Sequence, residues 1–150
     1  DTVKTKLLIL KIYNECLIGD PFSKDSINML FTNLASNQNY QEQFSKCPNW
    51  VYSLYELLND CWYESPSLNE LSKILNINPI SISKHFPKYF GCTLGEYIRR
   101  LKIDRSLTLI QESSTSLTEI SFECGFADQS HFIRTFKQQT GFLPKKFREL

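Results

Sequence analysis

SLNELSKILNINPISISKHF, residues 67–86, reappears in altered form as SLTEISFECGFADQSHFIRTF, residues 116–136. Ser67, Leu68, Glu70, Leu71, Ser72 and Ile77 recur as Ser116, Leu117, Glu119, Ile120, Ser121 and Phe126 at an offset of 49. One extra residue in the second turn raises the offset to 50, and Ile82, Lys84, Phe86 and Gly91 then meet Phe132, Arg134, Phe136 and Gly141. Self-similarity of this kind marks one supersecondary unit present twice.

Each copy opens with S-x-x-E, in which the serine caps a helix and the glutamate bonds back to it, so Ser67/Glu70 and Ser116/Glu119 predict two helix starts. A short helix leads in each copy to a tight turn, Asn76-Ile77-Asn78-Pro79 or Gly125-Phe126-Ala127-Asp128. Pro79 suits the first turn of the following helix, and Gly125 suits a left-handed helix end. The second helix of each copy runs to a glycine, Gly91 or Gly141. Helix, short turn and helix is the helix-turn-helix outline, here predicted over residues 67–91 and 116–141.

Working outward, residues 93–112 read as a connecting helix, opened by a third capping box, Thr93 with Glu96, and striped by Leu94, Ile98, Leu101, Leu107 and Ile110. Twenty helical residues at about 1.5 Å each span roughly 30 Å, close to the roughly 34 to 36 Å repeat of B-DNA. Upstream, Trp50, Leu54, Leu57, Leu58 and Cys61 predict an amphipathic helix that ends before Pro66. Val3, Leu7, Leu10, Tyr13 and Leu17 recur at helical steps up to Gly19-Asp20-Pro21, and residues 23–36 set Ile27, Leu30, Phe31 and Leu34 on one face. Residues 37–49, rich in Asn and Gln and closed by Pro48, read as a linker. No convincing strand alternation occurs, so the predicted fold is all-α. It consists of tandem, homeodomain-like helix-turn-helix units on a long connecting helix, preceded by a short helical segment. Residues 1–47 and 48–150 are the expected parts.

With 41% hydrophobic and 22% charged residues the 150-residue chain has the composition of a folded globular protein. It shows neither a membrane-span-length apolar run nor a signal-peptide pattern, so a cytoplasmic protein without membrane contact is expected. Five cysteines, Cys16, Cys47, Cys61, Cys92 and Cys124, are odd in number and lack any C-x-x-C pair, which argues against a disulfide framework and a zinc site. The net charge of +1 conceals an asymmetry: residues 1–75 hold 6 Lys+Arg against 9 Asp+Glu, residues 76–150 hold 11 against 7, so the halves carry −3 and +4. A basic excess on the second half fits a phosphate-facing surface. The chain starts at Asp1, not at methionine, and is expected to be a piece of something longer.

GFADQSHFIRTFKQQTGFLPKKFR, residues 125–148, and FPKYFGCTLGEYIRRLKIDRS, residues 86–106, resemble the AraC/XylS family of transcriptional regulators. The resemblance spans about residues 50–150 and includes the late Gly141, Pro144 and Phe147. It implies a DNA-binding part built from two helix-turn-helix units joined by a long helix. It also implies that residues 1–47 are the helical tail of an effector and dimerisation domain, with a small-molecule or protein effector acting on a part not covered. Pro87 departs from the lysine common at that place and is expected to end or bend the first recognition helix early.

Double-stranded DNA is the expected partner. In a helix-turn-helix the second helix lays its N-terminal residues against base edges. The resemblance places Ile80, Ser81, Ser83 and Lys84 there in the first unit, and Gln129, Ser130, His131, Ile133 and Arg134 in the second. Arg134, the first choice, and Lys84 can bond guanine O6/N7, Gln129 suits adenine, and Ile80 can meet a thymine methyl. Lys88, Lys137, Lys145, Lys146 and Arg148 are assigned to phosphates, adding salt-dependent affinity and little sequence choice. His131 reads equally well as a contact or as plain surface, whereas Phe86, Phe126, Phe132, Phe136 and Phe147 fall at core spacing. Residues 1–47 offer apolar faces for a homodimer, or simply for each other. No metal site or cofactor is expected, and paired carboxylates, a nucleophile motif and a phosphate loop are all missing, so an enzyme is not the reading. The competing function is a helical protein-interaction module that kept the fold and lost DNA binding, towards which the low net charge points.

Overall fold

A computed structural model of the chain describes residues 2–18, 20–36, 47–112 and 114–149, with the backbone alone at residues 2–4, 6, 14, 33–36 and 112. The side chains of Val3 and Leu34 and linker residues 37–46 lie outside the described residues. The chain divides into two compact units, Asp1–Ser45 and Lys46–Leu150. Every regular element among the described residues is helical.

The first unit is α1, Thr2–Ile18, packed on α2, Ser23–Ser36. Asp20 and Ser23 build the turn between them. The Asp20 carboxylate accepts from the Phe22 N–H at 2.9 Å and from the Ser23 hydroxyl at 3.0 Å, and that hydroxyl accepts from the Asp20 N–H at 3.0 Å. Of the predicted stripes, Leu7, Leu10, Ile27 and Leu30 are half-buried, whereas Tyr13, Leu17 and Phe31 are exposed.

The second unit has two cores strung on one long helix. In the first half, α3 (Asn49–Asp60), α4 (Leu68–Leu75) and α5 (Pro79–Phe90) bury Leu54, Leu58, Leu71, Ile82 and Phe86 together. The rod α6 spans Leu94–Glu112, and its Leu94, Tyr97, Ile98 and Leu101 pack against that cluster. Farther along, α6 packs on α7 (Leu117–Glu123), α8 (Gln129–Thr140) and α9 (Pro144–Arg148). Ile103, Leu107 and Ile110 are buried here, as are Ile120, Phe132, Phe136 and Phe147. Phe126, Phe132, Phe136 and Phe147 form a chain of ring contacts at 5.3, 5.7 and 5.7 Å. All five phenylalanines assigned to the core are buried. At about 1.5 to 3 kcal/mol for each fully buried large apolar side chain, these clusters hold the two halves of the second unit on α6.

Two local expectations change. Pro87 does not end its helix, because α5 continues to Phe90 and the Gly91 N–H closes it on the Pro87 carbonyl at 2.9 Å. The proline forfeits only the bond to Ser83, and both residues are exposed, so water can satisfy the freed carbonyl. Secondly, α9 follows from Pro144 at a helix start but was not predicted as an element, being a five-residue turn too short to show periodicity.

Candidate nucleic-acid interface

The two helix-turn-helix units repeat each other at the level of single hydrogen bonds. At the start of α4 the Ser67 N–H donates to Glu70 Oε2 at 2.7 Å while the Glu70 N–H donates to Ser67 Oγ at 3.3 Å. At α7 the Ser116 N–H and hydroxyl reach Glu119 Oε2 at 3.0 and 2.7 Å, and the Glu119 N–H reaches Ser116 Oγ at 3.2 Å. These bonds favour the charged carboxylate, and both glutamates are held below the usual carboxylate pKa. Each first helix then turns through one left-handed residue, Asn76 at φ 53° or Gly125 at φ 70°. The next amide reaches back, Ile77 N–H to the Ser72 carbonyl at 3.1 Å and Phe126 N–H to that of Ser121 at 2.9 Å.

A short acceptor side chain opens each second helix. Asn78 Oδ1 accepts from the Ile80 N–H at 2.9 Å, and Asp128 Oδ1 from the His131 N–H at 2.7 Å. Gly91 at φ 68° and Gly141 at φ 85° end α5 and α8. Because Ile82 and Phe86 in α5, and Phe132, Thr135 and Phe136 in α8, face the cores, the opposite faces are left outside. Ile80, Ser83 and Lys84 are exposed on α5, and Ser130, His131 and Arg134 on α8; Ser81, Gln129 and Ile133 are half-buried. Ile80 is 73% exposed, which for an isoleucine at a helix start leaves a methyl-bearing contact surface bare.

The cations assigned to phosphates divide. Lys88, Lys137, Lys145 and Lys146 are exposed, with the Lys88 ammonium 5.4 Å from the Tyr89 ring centre. Arg148 has a different part: its Nε donates to the Ile110 carbonyl at 3.1 Å and a terminal nitrogen to the Thr115 carbonyl at 2.8 Å. Half-buried, it staples α9 to the end of α6 through these two bonds. Gln129 is also constrained, since its Oε1 accepts from the Thr118 hydroxyl at 3.1 Å. A bidentate contact to adenine uses that oxygen as well as the amide NH₂, so Gln129 would share the oxygen with Thr118 or give up that bond to read the base. His131 lies edge-on to Phe126 at 5.4 Å.

Two neighbours of the site escape sequence reasoning, Thr118 and Lys102. Lys102 is buried within α6, where its ammonium donates to the Gly125 carbonyl. Its signal was a charge standing four residues after Ile98, on the apolar stripe. Burial pushes the pKa of this ammonium down, and burial pushes the neighbouring Cys124 thiol up to about 12, so Cys124 stays protonated and unreactive at neutral pH. The described residues contain no group of three or more His, Cys, Asp or Glu that could hold a metal ion, and no helix among them is long and apolar enough to cross a membrane.

The model of a family described as a helix-turn-helix domain matches residues 71–150. The Msm operon regulatory protein of Streptococcus mutans is 29% identical over 109 residues, covering 73% of this chain and 39% of that protein. The HTH-type transcriptional activator RhaS of Escherichia fergusonii is 28% identical over 92 residues, covering 61% and 33%. The chain therefore spans between a third and two fifths of the length of these relatives. Among solved structures, the DNA-binding domain of the global transcriptional factor AdpA in complex with a target DNA aligns with a TM-score of 0.61 at 16% identity, covering 66% of this chain and 89% of that one. Duplicated units with shared caps and turns, a rod between them, and a family match over more than half the residues lead to one conclusion: the chain belongs to the AraC/XylS family of transcriptional regulators.

Proposed function

We propose that residues 46–150 bind double-stranded DNA with sequence preference, α5 and α8 entering successive major grooves on one side of the duplex, as the DNA-reading part of a transcription regulator. The observation that carries this reading is the matched exposure at the starts of α5 and α8, where Ile80, Ser83 and Lys84 on one helix and Ser130, His131 and Arg134 on the other face outward over buried aromatic cores. The 19 residues of α6 span about 28 Å, close to one duplex repeat. The AdpA domain, alike in fold, is itself bound to a target DNA. Lys84 and Arg134 read guanine, Ile80 a thymine methyl, and Lys88, Lys137, Lys145 and Lys146 meet phosphates. Selection from a random duplex library tests the proposal directly. Enrichment of a two-part motif with elements about one helical turn apart is expected, and no enrichment with no retardation at low salt would favour a protein-interaction module instead.

The unit Asp1–Ser45 contributes an interface for a second copy, because Ile9, Leu17, Ile18 and Met29 are exposed on its two helices and Phe22 in the turn between them. Sedimentation of the full chain tests this, and a monomer at high micromolar concentration would rule it out.

A further inference from the structure

Lys102 is 7% exposed, yet its ammonium meets a carbonyl and a ring face where a buried cation would ordinarily find a carboxylate. Its Nζ donates to the Gly125 carbonyl at 2.5 Å and lies 5.6 Å from the Phe126 ring centre. Well-packed apolar side chains commonly replace buried ions without loss of stability, so cohesion alone does not account for a charge here. A directed donor does something an apolar side chain does not: it selects one position of the carbonyl it holds.

That carbonyl belongs to the turn that launches α8, three residues before its cap Asp128. The same spot is approached from the first half of the unit. A Cβ built on Gly125 would lie 2.6 Å from the Tyr63 carbonyl oxygen, and the Arg105 guanidinium, one turn along α6 from Lys102, lies 5.9 Å from the Trp62 ring centre. The segment leading into the first helix-turn-helix, the connecting rod and the turn of the second helix-turn-helix thus meet at one junction.

We propose that Lys102 is a positioning residue for DNA reading: by clipping α6 to the Gly125 turn, it fixes the separation of the two reading heads and so the spacing between the DNA elements they accept. The inference rests on the DNA-binding reading above. One base pair of spacing moves an element by about 3.4 Å along the axis and about a tenth of a turn around it, which a rigid pair of heads cannot follow.

The test uses the full chain and duplexes carrying the two selected elements at spacings changed in single base-pair steps. Wild type is expected to lose at least about tenfold in affinity one step from the optimum, and Lys102→Met about threefold or less, because simultaneous engagement is a geometric condition. Affinity for a duplex carrying one element alone should be the same for both proteins, which a general loss of structure would not leave unchanged. A folded Lys102→Met with a profile as sharp as wild type overturns the proposal. Should that variant fail to fold, Lys102→Gln, uncharged and one atom shorter, takes its place: broadening supports the clip and an unchanged profile rejects it. Spin labels on non-natural side chains at the exposed Ser83 and Ser130 read the separation of α5 and α8 without DNA. A narrow distance in wild type that broadens in Lys102→Met supports the clip, and equal widths reject it. Failure of every variant to bind any duplex would strike the DNA-binding reading, an outcome separable from the distance result.

Discussion

Replacing Gly125 by alanine should destabilise the second unit by roughly twice as much as replacing Gly91 or more, although both residues sit at nearly the same positive φ, 70° and 68°. Holding any L-residue in the left-handed region costs roughly 1 to 2 kcal/mol, a charge common to both substitutions. At Gly91 nothing lies within 4 Å of the new Cβ, so that is the whole effect. At Gly125 the methyl would arrive 2.6 Å from the Tyr63 carbonyl oxygen and 3.0 Å from Lys102 Nζ. The ammonium can swing aside, but the Tyr63 oxygen is backbone and moves only with its turn, and overpacking of this kind adds about 1 to 3 kcal/mol. The totals are then about 2 to 5 kcal/mol at Gly125 against about 1 to 2 at Gly91. Trp50 and Trp62, the only tryptophans, both lie in the second unit, so the fluorescence of the full chain in urea follows that unit alone. With unchanged m-values, the midpoint shift converts directly into the free-energy difference. Equal midpoints for the two variants would refute the crowded junction.

Arg134→Ala should cost about 1 to 3 kcal/mol on the selected site and relax base choice at one position, whereas Lys146→Ala should weaken all duplexes alike and reduce the salt slope by about one unit. Equal losses for Arg134→Ala on selected and random duplexes would reject its base-reading role. Arg148→Met removes two charge-assisted bonds to the carbonyls of Ile110 and Thr115, and should lower stability by about 2 to 4 kcal/mol with the salt slope of DNA binding unchanged. A reduced slope with wild-type stability would place Arg148 among the phosphate contacts. The carboxyls of Glu70, Glu96 and Glu119 are all held below their ordinary pKa, the first two chiefly by the N–H of Ser67 and Thr93, the third chiefly by the Ser116 hydroxyl. Depressed folded-state values mean stability that is complete above the ordinary carboxylate pKa of about 4.3 and is lost as pH falls through the lowered values. The melting temperature should therefore drop as the pH falls below about 5, and Glu119→Gln should make that drop shallower; an identical pH profile for the variant would count against the cap.

What was legible in the sequence was what depends on neighbours a few residues apart. Ser67 with Glu70, Thr93 with Glu96 and Ser116 with Glu119 are capping boxes because residues three apart at a helix start face each other, and the bonds occur as the pattern predicts. The exposed starts of α5 and α8 follow in the same way from where Phe86 and Phe136 must point. Illegible were contacts between residues far apart in sequence. Lys102 reaches Gly125 across 23 positions and Arg148 reaches Ile110 across 38, and no local rule separates such a cation from one bound for phosphate. The early helix end expected at Pro87 does not occur because a proline near the end of a helix, on its exposed face, removes a bond that water replaces.

A duplicated unit supplies its own control, since both copies make the same demands on the backbone and any difference in residue type reports on something outside the copy. Asn76 and Gly125 occupy the same left-handed turn position, and asparagine is the side chain that tolerates it best after glycine. In the first copy the position is exposed, and asparagine serves. In the second, the Tyr63 carbonyl and the Lys102 ammonium stand where a Cβ would go. The glycine there is required by the junction of the two units as much as by the turn. Gly125→Asn, which reproduces the residue of the first copy, should therefore destabilise the second, while Asn76→Gly should cost only a few tenths of a kcal/mol to about 1, through the added freedom of the unfolded chain. A second copy that accepted asparagine without loss would mean that the two turns are interchangeable and that nothing at Gly125 holds the units together.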